Sequence, residues 1–255
     1  VTTEAAPQLP NGGFEEWETI DKVVYPYLRD GIHYWNSGNK GASIGNATPT
    51  DKTTDVRPGT SGIYAAQLSS KLAGLVGVTK LAAGNLFTGI FYGIRNITHG
   101  IVCFGQPFEA RPTALHGWFK YNQGMLTNVG STQPPGINLK VGDPANGMIY
   151  IAVGTWTPEA DGISQGEQFG SAENPIAIDT RNPSSFFDPA SPAVIGYGQL
   201  PLTTSYSEWQ EFTIPLKYVA TNRTPTHIVV VCSASRWCDF FIGRTSRVHV
   251  VEDRE

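Results

Sequence analysis

Apolar and polar residues along this chain alternate with a period of two, and no window longer than ten residues repeats them at three and four. Side chains of a strand point to opposite faces in turn, so this spacing predicts strands and almost no helix. Twenty-eight glycines and 18 prolines interrupt the pattern throughout. Candidate strands are residues 62–69, 74–80, 84–92, 100–105, 113–122, 137–142, 148–156, 193–199, 208–217, 226–233, 239–242 and 247–252. Strands of this number and length predict an all-β chain of two packed antiparallel sheets.

Several runs assign faces. In EWQEFTIPLKY, Gln210, Phe212, Ile214 and Leu216 share one face, and Trp209, Glu211, Thr213 and Pro215 share the other. HIVVVCSA (227–234) is apolar on both faces, which predicts a central strand. Asp143, Pro144, Asn146 and Gly147 supply turn chemistry and predict a hairpin between 137–142 and 148–156. Residues 157–192 have no period and many turn formers; the pairs Ile176 with Ile178 and Phe186 with Phe187 predict that this long excursion is pinned to the body. Residues 20–60 read as loops over one sheet. In LAAGNLFTGIF (81–91), Gly84 and Gly89 permit a bend or a close approach, while Asn85 and Thr88 can bond the backbone groups that a bend frees. No internal repeat is present, so residues 1–255 are read as one domain, with 1–10 a flexible N-terminal segment.

Charge narrows the function. The formal net charge is −4, 16% of residues are charged, and no block of Lys or Arg occurs, which argues against nucleic acid as a partner. The start VTTEAAPQLP has no initiator Met and reads as a chain cut downstream of a leader. The expected location is extracellular, at the cell surface or in the periplasm, with outer-membrane attachment only through a removed leader or lipid anchor. Cys103, Cys232 and Cys238 fit no zinc spacing; Cys103 and Cys232 sit in apolar strands and read as small hydrophobes.

The phrases NGGFEEW (11–17), YWNSGNKG (34–41), LAAGNLFTGIF (81–91), FGQPFEARPTALHGWFKY (104–121), IYIAVGTW (149–156), EWQEFTIPLKY (208–218) and SASRWCDFFIG (233–243) run in order along nearly the whole chain. Together they resemble the putative carbohydrate metabolism domain of Bacteroides-type secreted and surface lipoproteins. The resemblance implies a jelly-roll sandwich similar to galactose-binding and carbohydrate-binding modules, and a polysaccharide or oligosaccharide as partner. It also implies a link to proteins labelled as glycoside hydrolases. Such domains tend to close on two aspartates, and in VEDRE Glu252 stands in one of those places.

A sugar presents apolar ring faces rimmed by hydroxyls, so a binding site needs an exposed aromatic flanked by residues that bond the rim. Trp156, at the mouth of the excursion, and Trp237, between Arg236 and Asp239, are the expected platforms, with Trp35 a third. Trp118 and Trp209 are read as sheet-face fillers, and His116 as a partly buried side chain with a partner. Glycoside hydrolysis would need two facing carboxyl groups, for which the apolar-flanked Glu109 and Asp239 are candidates; the bland alternative pairs them with Arg111 and Arg236. A calcium ion, bound through Glu15 and Asp253, is the cofactor to test. The favoured reading is a saccharide-binding module; the alternatives are a glycoside hydrolase and a structural or adhesive module.

Overall fold

The computed structural model describes residues 7–75, 78–95, 99–129, 138–164, 167–235, 241–244 and 247–251. Two antiparallel sheets dominate. The larger has nine strands and runs, by neighbour, Ile176–Asp179, His99–Phe104, Asn85–Arg95, His227–Ser233, Gly147–Gly154, Val194–Leu202, Lys217–Tyr218, with Trp35–Asn36 and Gln106–Pro107 filling beside it. The smaller has five, in the order Tyr206–Pro215, Ala114–Asn122, Arg247–Val251, Ala65–Ser69, Thr50–Thr53.

Alternation turns one face of each sheet inward. Leu68, Phe119, Phe212 and Ile214 from the smaller sheet meet Leu86, Ile149, Ile151, Val230 and Cys232 from the larger, and these buried side chains form the main core. The His227–Ser233 strand is apolar on both faces because it is covered on both. Ile228 and Val230 enter the main core, while Val229 and Val231 join a second core on the outer face with Phe87, Phe104, Ile176 and Ile178. Cys103 and Cys232 are free and buried, and burial pushes their thiols up to about 11 and about 12, so they serve as apolar filler.

The interruptions in LAAGNLFTGIF make the strand change partners. Residues 85–87 pair with 231–233, whereas from Gly89 onward the strand pairs with His99–Phe104. Between them the buried Thr88 hydroxyl accepts from Val230 N at 2.9 Å and donates to Ile228 O at 3.3 Å, holding strands that have begun to part. Gly89 has φ +139°, a conformation that favours glycine, and a Cβ there would collide with Cys103 O. A Cβ at Gly84 would overlap the backbone of Leu68 and Ser69, where the two sheets approach.

The N-terminal phrases are braces. Buried Asn11 donates to Glu16 O and Pro26 O and accepts from the amides of Glu15 and Glu16. Buried Asn39 donates to Val24 O and Thr50 O and accepts from Thr50 N. Leu9 is buried and Pro10 O accepts from Trp35 Nε1, so this end of the expected flexible segment is fastened to the core.

Other expectations change. The 20–60 region contributes the Thr50–Thr53 edge strand and the Asn39–Ala42 helical turn. Residues 138–142 are not a strand, and the expected hairpin is absent: Pro144–Ala145 pairs with Gly124–Met125, and Gly147–Gly154 lies between Val194–Leu202 and His227–Ser233. The turn chemistry is real, but the apolar run after it prefers two long partners to a short polar one. In the excursion, Ile176–Asp179 becomes an edge strand against His99–Phe104, with Ile176 and Ile178 buried and Phe186 and Phe187 packed on the second core. No helix among the described residues is long and apolar enough to cross a membrane.

Candidate functional site: the outer face of the five-stranded sheet

In the Ala114–Asn122 strand, Leu115, Phe119 and Tyr121 fill or line the core, so His116, Trp118 and Lys120 stand on the opposite side. Across the ladder Trp118 faces Glu211 and His116 faces Thr213, which puts Trp209, Glu211 and Thr213 on the same outer surface. Trp209 is buried there with Ala65, and Val56 and the half-buried Trp118 pack on them.

Charged groups surround these rings. The Arg57 guanidinium lies 5.1 Å from the Trp118 ring centroid and the Lys120 ammonium 5.6 Å from that of Trp209, within cation–π range. Lys120 Nζ donates to Asp55 Oδ1 at 2.9 Å, reaching across the sheet toward its Thr50–Thr53 edge. His116 Nε2 lies 2.8 Å from Glu211 Oε1; a carboxylate oxygen accepts, so Nε2 carries the proton. The side chains of Glu211, Asp55 and His116 are 57%, 47% and 40% exposed. The result is an indole floor with carboxylates in strand order on both sides, and a guanidinium and an ammonium within reach. Such a surface can stack on an apolar ring face and bond a rim of hydroxyls.

The residues singled out in the sequence fall elsewhere. Trp156 is 3% exposed, its ring 6.0 Å from that of Phe187, because the excursion folds back over it. Trp35 is 3% exposed and meets Phe14 edge-on at 5.1 Å, with its Nε1 donating to Pro10 O. Neither ring is the open platform that its sequence position predicts. Glu109 is exposed, not sheltered by its apolar neighbours, and Arg111 is engaged with Arg223 O, Ala220 O and the Tyr218 ring. Arg236, Trp237 and Asp239 lie outside the described residues, as does Asp253. Glu15 accepts from the amides of Ile63 at 3.1 Å and Tyr64 at 3.2 Å. The Glu15 carboxylate is thus engaged by backbone amides, its expected calcium partner Asp253 lies outside the described residues, and among the described residues no group of three His, Cys, Asp or Glu could hold a metal.

The sequence carried a signal for Trp118. In LHGWFKY its alternation partners are His116 and Lys120, both polar, which marks an outward face. Arg57 and Asp55 come from the loop before Ala65–Ser69 and carry no pattern of their own.

Two solved structures share this architecture. A putative glycoside hydrolase from Bacteroides thetaiotaomicron superposes with a TM-score of 0.63 at 21% identity, over 94% of this chain and 68% of its own. A putative glycoside hydrolase from Bacteroides vulgatus superposes with 0.62 at 20% identity, over 94% of both chains. At that identity the likeness concerns the fold. No curated protein matches the chain. Residues 13–253 match the family described as the putative carbohydrate metabolism domain, and the chain belongs to that family.

Proposed function

We propose that this chain is a non-catalytic saccharide-binding module of a surface or secreted polysaccharide-handling system, and that it binds through the outer face of the five-stranded sheet. The observation that carries the reading is Trp118, half-buried on that face among Arg57, Asp55, Lys120, His116 and Glu211. Four residue steps from His116 to Lys120 span about 13 Å, room for a short oligosaccharide along the strand. In this arrangement the Trp118 ring stacks under a pyranose, Asp55 and Glu211 accept from hydroxyls, and Arg57 and Lys120 donate to them.

Binding accounts for the face better than hydrolysis. A glycosidase needs one carboxyl sheltered as a proton donor and a second facing it across the sugar. Asp55 and Glu211 are exposed, and Asp55 is already joined to the Lys120 ammonium and Glu211 to His116 Nε2, which suits hydrogen-bond acceptors. Membership of a carbohydrate family supports the ligand class.

Native affinity electrophoresis on a panel of neutral and acidic polysaccharides tests the reading. At least one should retard the protein, and Trp118→Ala should weaken that retardation about tenfold or more with the fold intact. Retardation that Trp118→Ala leaves unchanged would remove this face from the account.

A further inference from the structure

The Asn85–Arg95 strand outruns the main core, to which it contributes Leu86. At Ile90 it packs instead on a small cluster of Ile101, Cys103, Ala177 and Phe169, the last brought in by the Gln168–Phe169 strand of the excursion. Tyr92 stands at the rim of that cluster. Its ring meets the fully buried Phe169 edge-on at 5.0 Å, yet the residue stays 45% exposed, more than any other Phe, Tyr or Trp among the described side chains.

Two charged groups are fixed beside this ring. Tyr92 Oη donates to Glu167 Oε1 at 3.1 Å, and Arg95 Nη2 lies 3.4 Å from Glu167 Oε2. The Arg95 guanidinium is also held 4.5 Å from the Phe169 ring centroid, and His99 stands opposite Arg95 on the neighbouring strand. Both members of the ion pair are half-exposed, and a pair this open to water contributes little to stability. Both also keep bonding capacity: a carboxylate offers about four acceptor sites and a guanidinium about five donors, more than these contacts use. Two adjacent hydroxyls of a sugar can donate to Glu167 and accept from Arg95 while an apolar ring face rests on Tyr92. We infer that Tyr92, Arg95 and Glu167 form a second saccharide site, for a ring that carries two adjacent free hydroxyls. It belongs to the nine-stranded sheet, apart from the indole face of the five-stranded one, and goes beyond the function proposed above.

The test uses the same gels with soluble glucans, mannans and xylans, each before and after periodate oxidation, which cleaves adjacent hydroxyl pairs, in a Trp118→Ala background that removes the first face. At least one untreated polysaccharide should retard this variant, and its oxidised form should not. Adding either Tyr92→Ala or Glu167→Gln should weaken the retardation about tenfold. Glu167→Gln alters an exposed side chain without changing its size, and keeps the test open should the tyrosine variant fold poorly. Absence of all retardation in Trp118→Ala overturns the inference, as does retardation that survives oxidation or that neither added substitution changes. The first face fails by a different result, Trp118→Ala behaving as wild type.

Discussion

The two outer faces of the sandwich are built by the same alternation and finished in opposite ways. On the nine-stranded sheet the outward residues Phe87, Val102, Ala152, Val229 and Val231 are apolar, and the 157–192 excursion extends that face with Ile176 and Ile178 and lays Phe187 over it. On the five-stranded sheet the outward residues include His116, Lys120, Glu211 and Thr213, and Val56 and Arg57 reach the indoles from the neighbouring loop. A tryptophan therefore means different things on the two sides. Trp156 is a strut sealed beneath Phe187, and Trp118 is a half-buried floor.

The same substitution should separate them. Trp156→Ala empties a buried site that Phe187 cannot refill without leaving Tyr150 and Tyr197, and should cost about 3–5 kcal/mol. A melting temperature lowered by about 10 °C or more would register this. Trp118→Ala gives up a cation–π contact and partial burial, about 1 kcal/mol, and its melting curve should stay close to wild type. Equal losses on both sides would erase the distinction between strut and floor.

Acid offers a gentler probe of the covered face. Burial alone would raise the Asp179 carboxyl, but hydrogen bonds from Arg181 N at 2.9 Å, Nε at 3.2 Å and Nη2 at 3.0 Å outweigh it and hold the group below its usual 3.8. The folded value lies below the unfolded one. Its contribution is therefore complete above the unfolded value and fades as pH falls through the folded one. Asp179 ends the edge strand that anchors the excursion. Asp179→Asn should lower the urea midpoint at pH 7 by the equivalent of about 1–3 kcal/mol, and the gap to wild type should narrow at pH 3. A gap that is constant with pH would detach the carboxylate from the stability of this face.

Much of the fold was legible because burial enforces the period. Phe212, Ile214 and Leu216 point inward as their spacing predicts, and the doubly apolar 227–233 run is central. Gly84 and Gly89 mark a close approach and a change of partner. The family phrases were legible as a family without revealing a site, since Asn11, Asn39 and Trp35 are braces whose partners are backbone carbonyls and amides. The expectation of an open Trp156 failed for a physical reason. A tryptophan at the end of a strand is open or sealed according to what later folds over it, and the cover on Trp156 arrives from Phe187, far along the chain. Conversely, Arg57 and Asp55, two of the charged residues around Trp118, come from a loop that no periodicity describes.

The indole N–H signals of the six tryptophans, assigned by substitution and followed by NMR during titration with a retained oligosaccharide, test the central claim most directly. The Trp118 signal should shift in proportion to saturation, while those of Trp17 and Trp35, committed to Phe14 O and Pro10 O, stay in place. Binding that saturates with the Trp118 signal unmoved would contradict the assignment of this face.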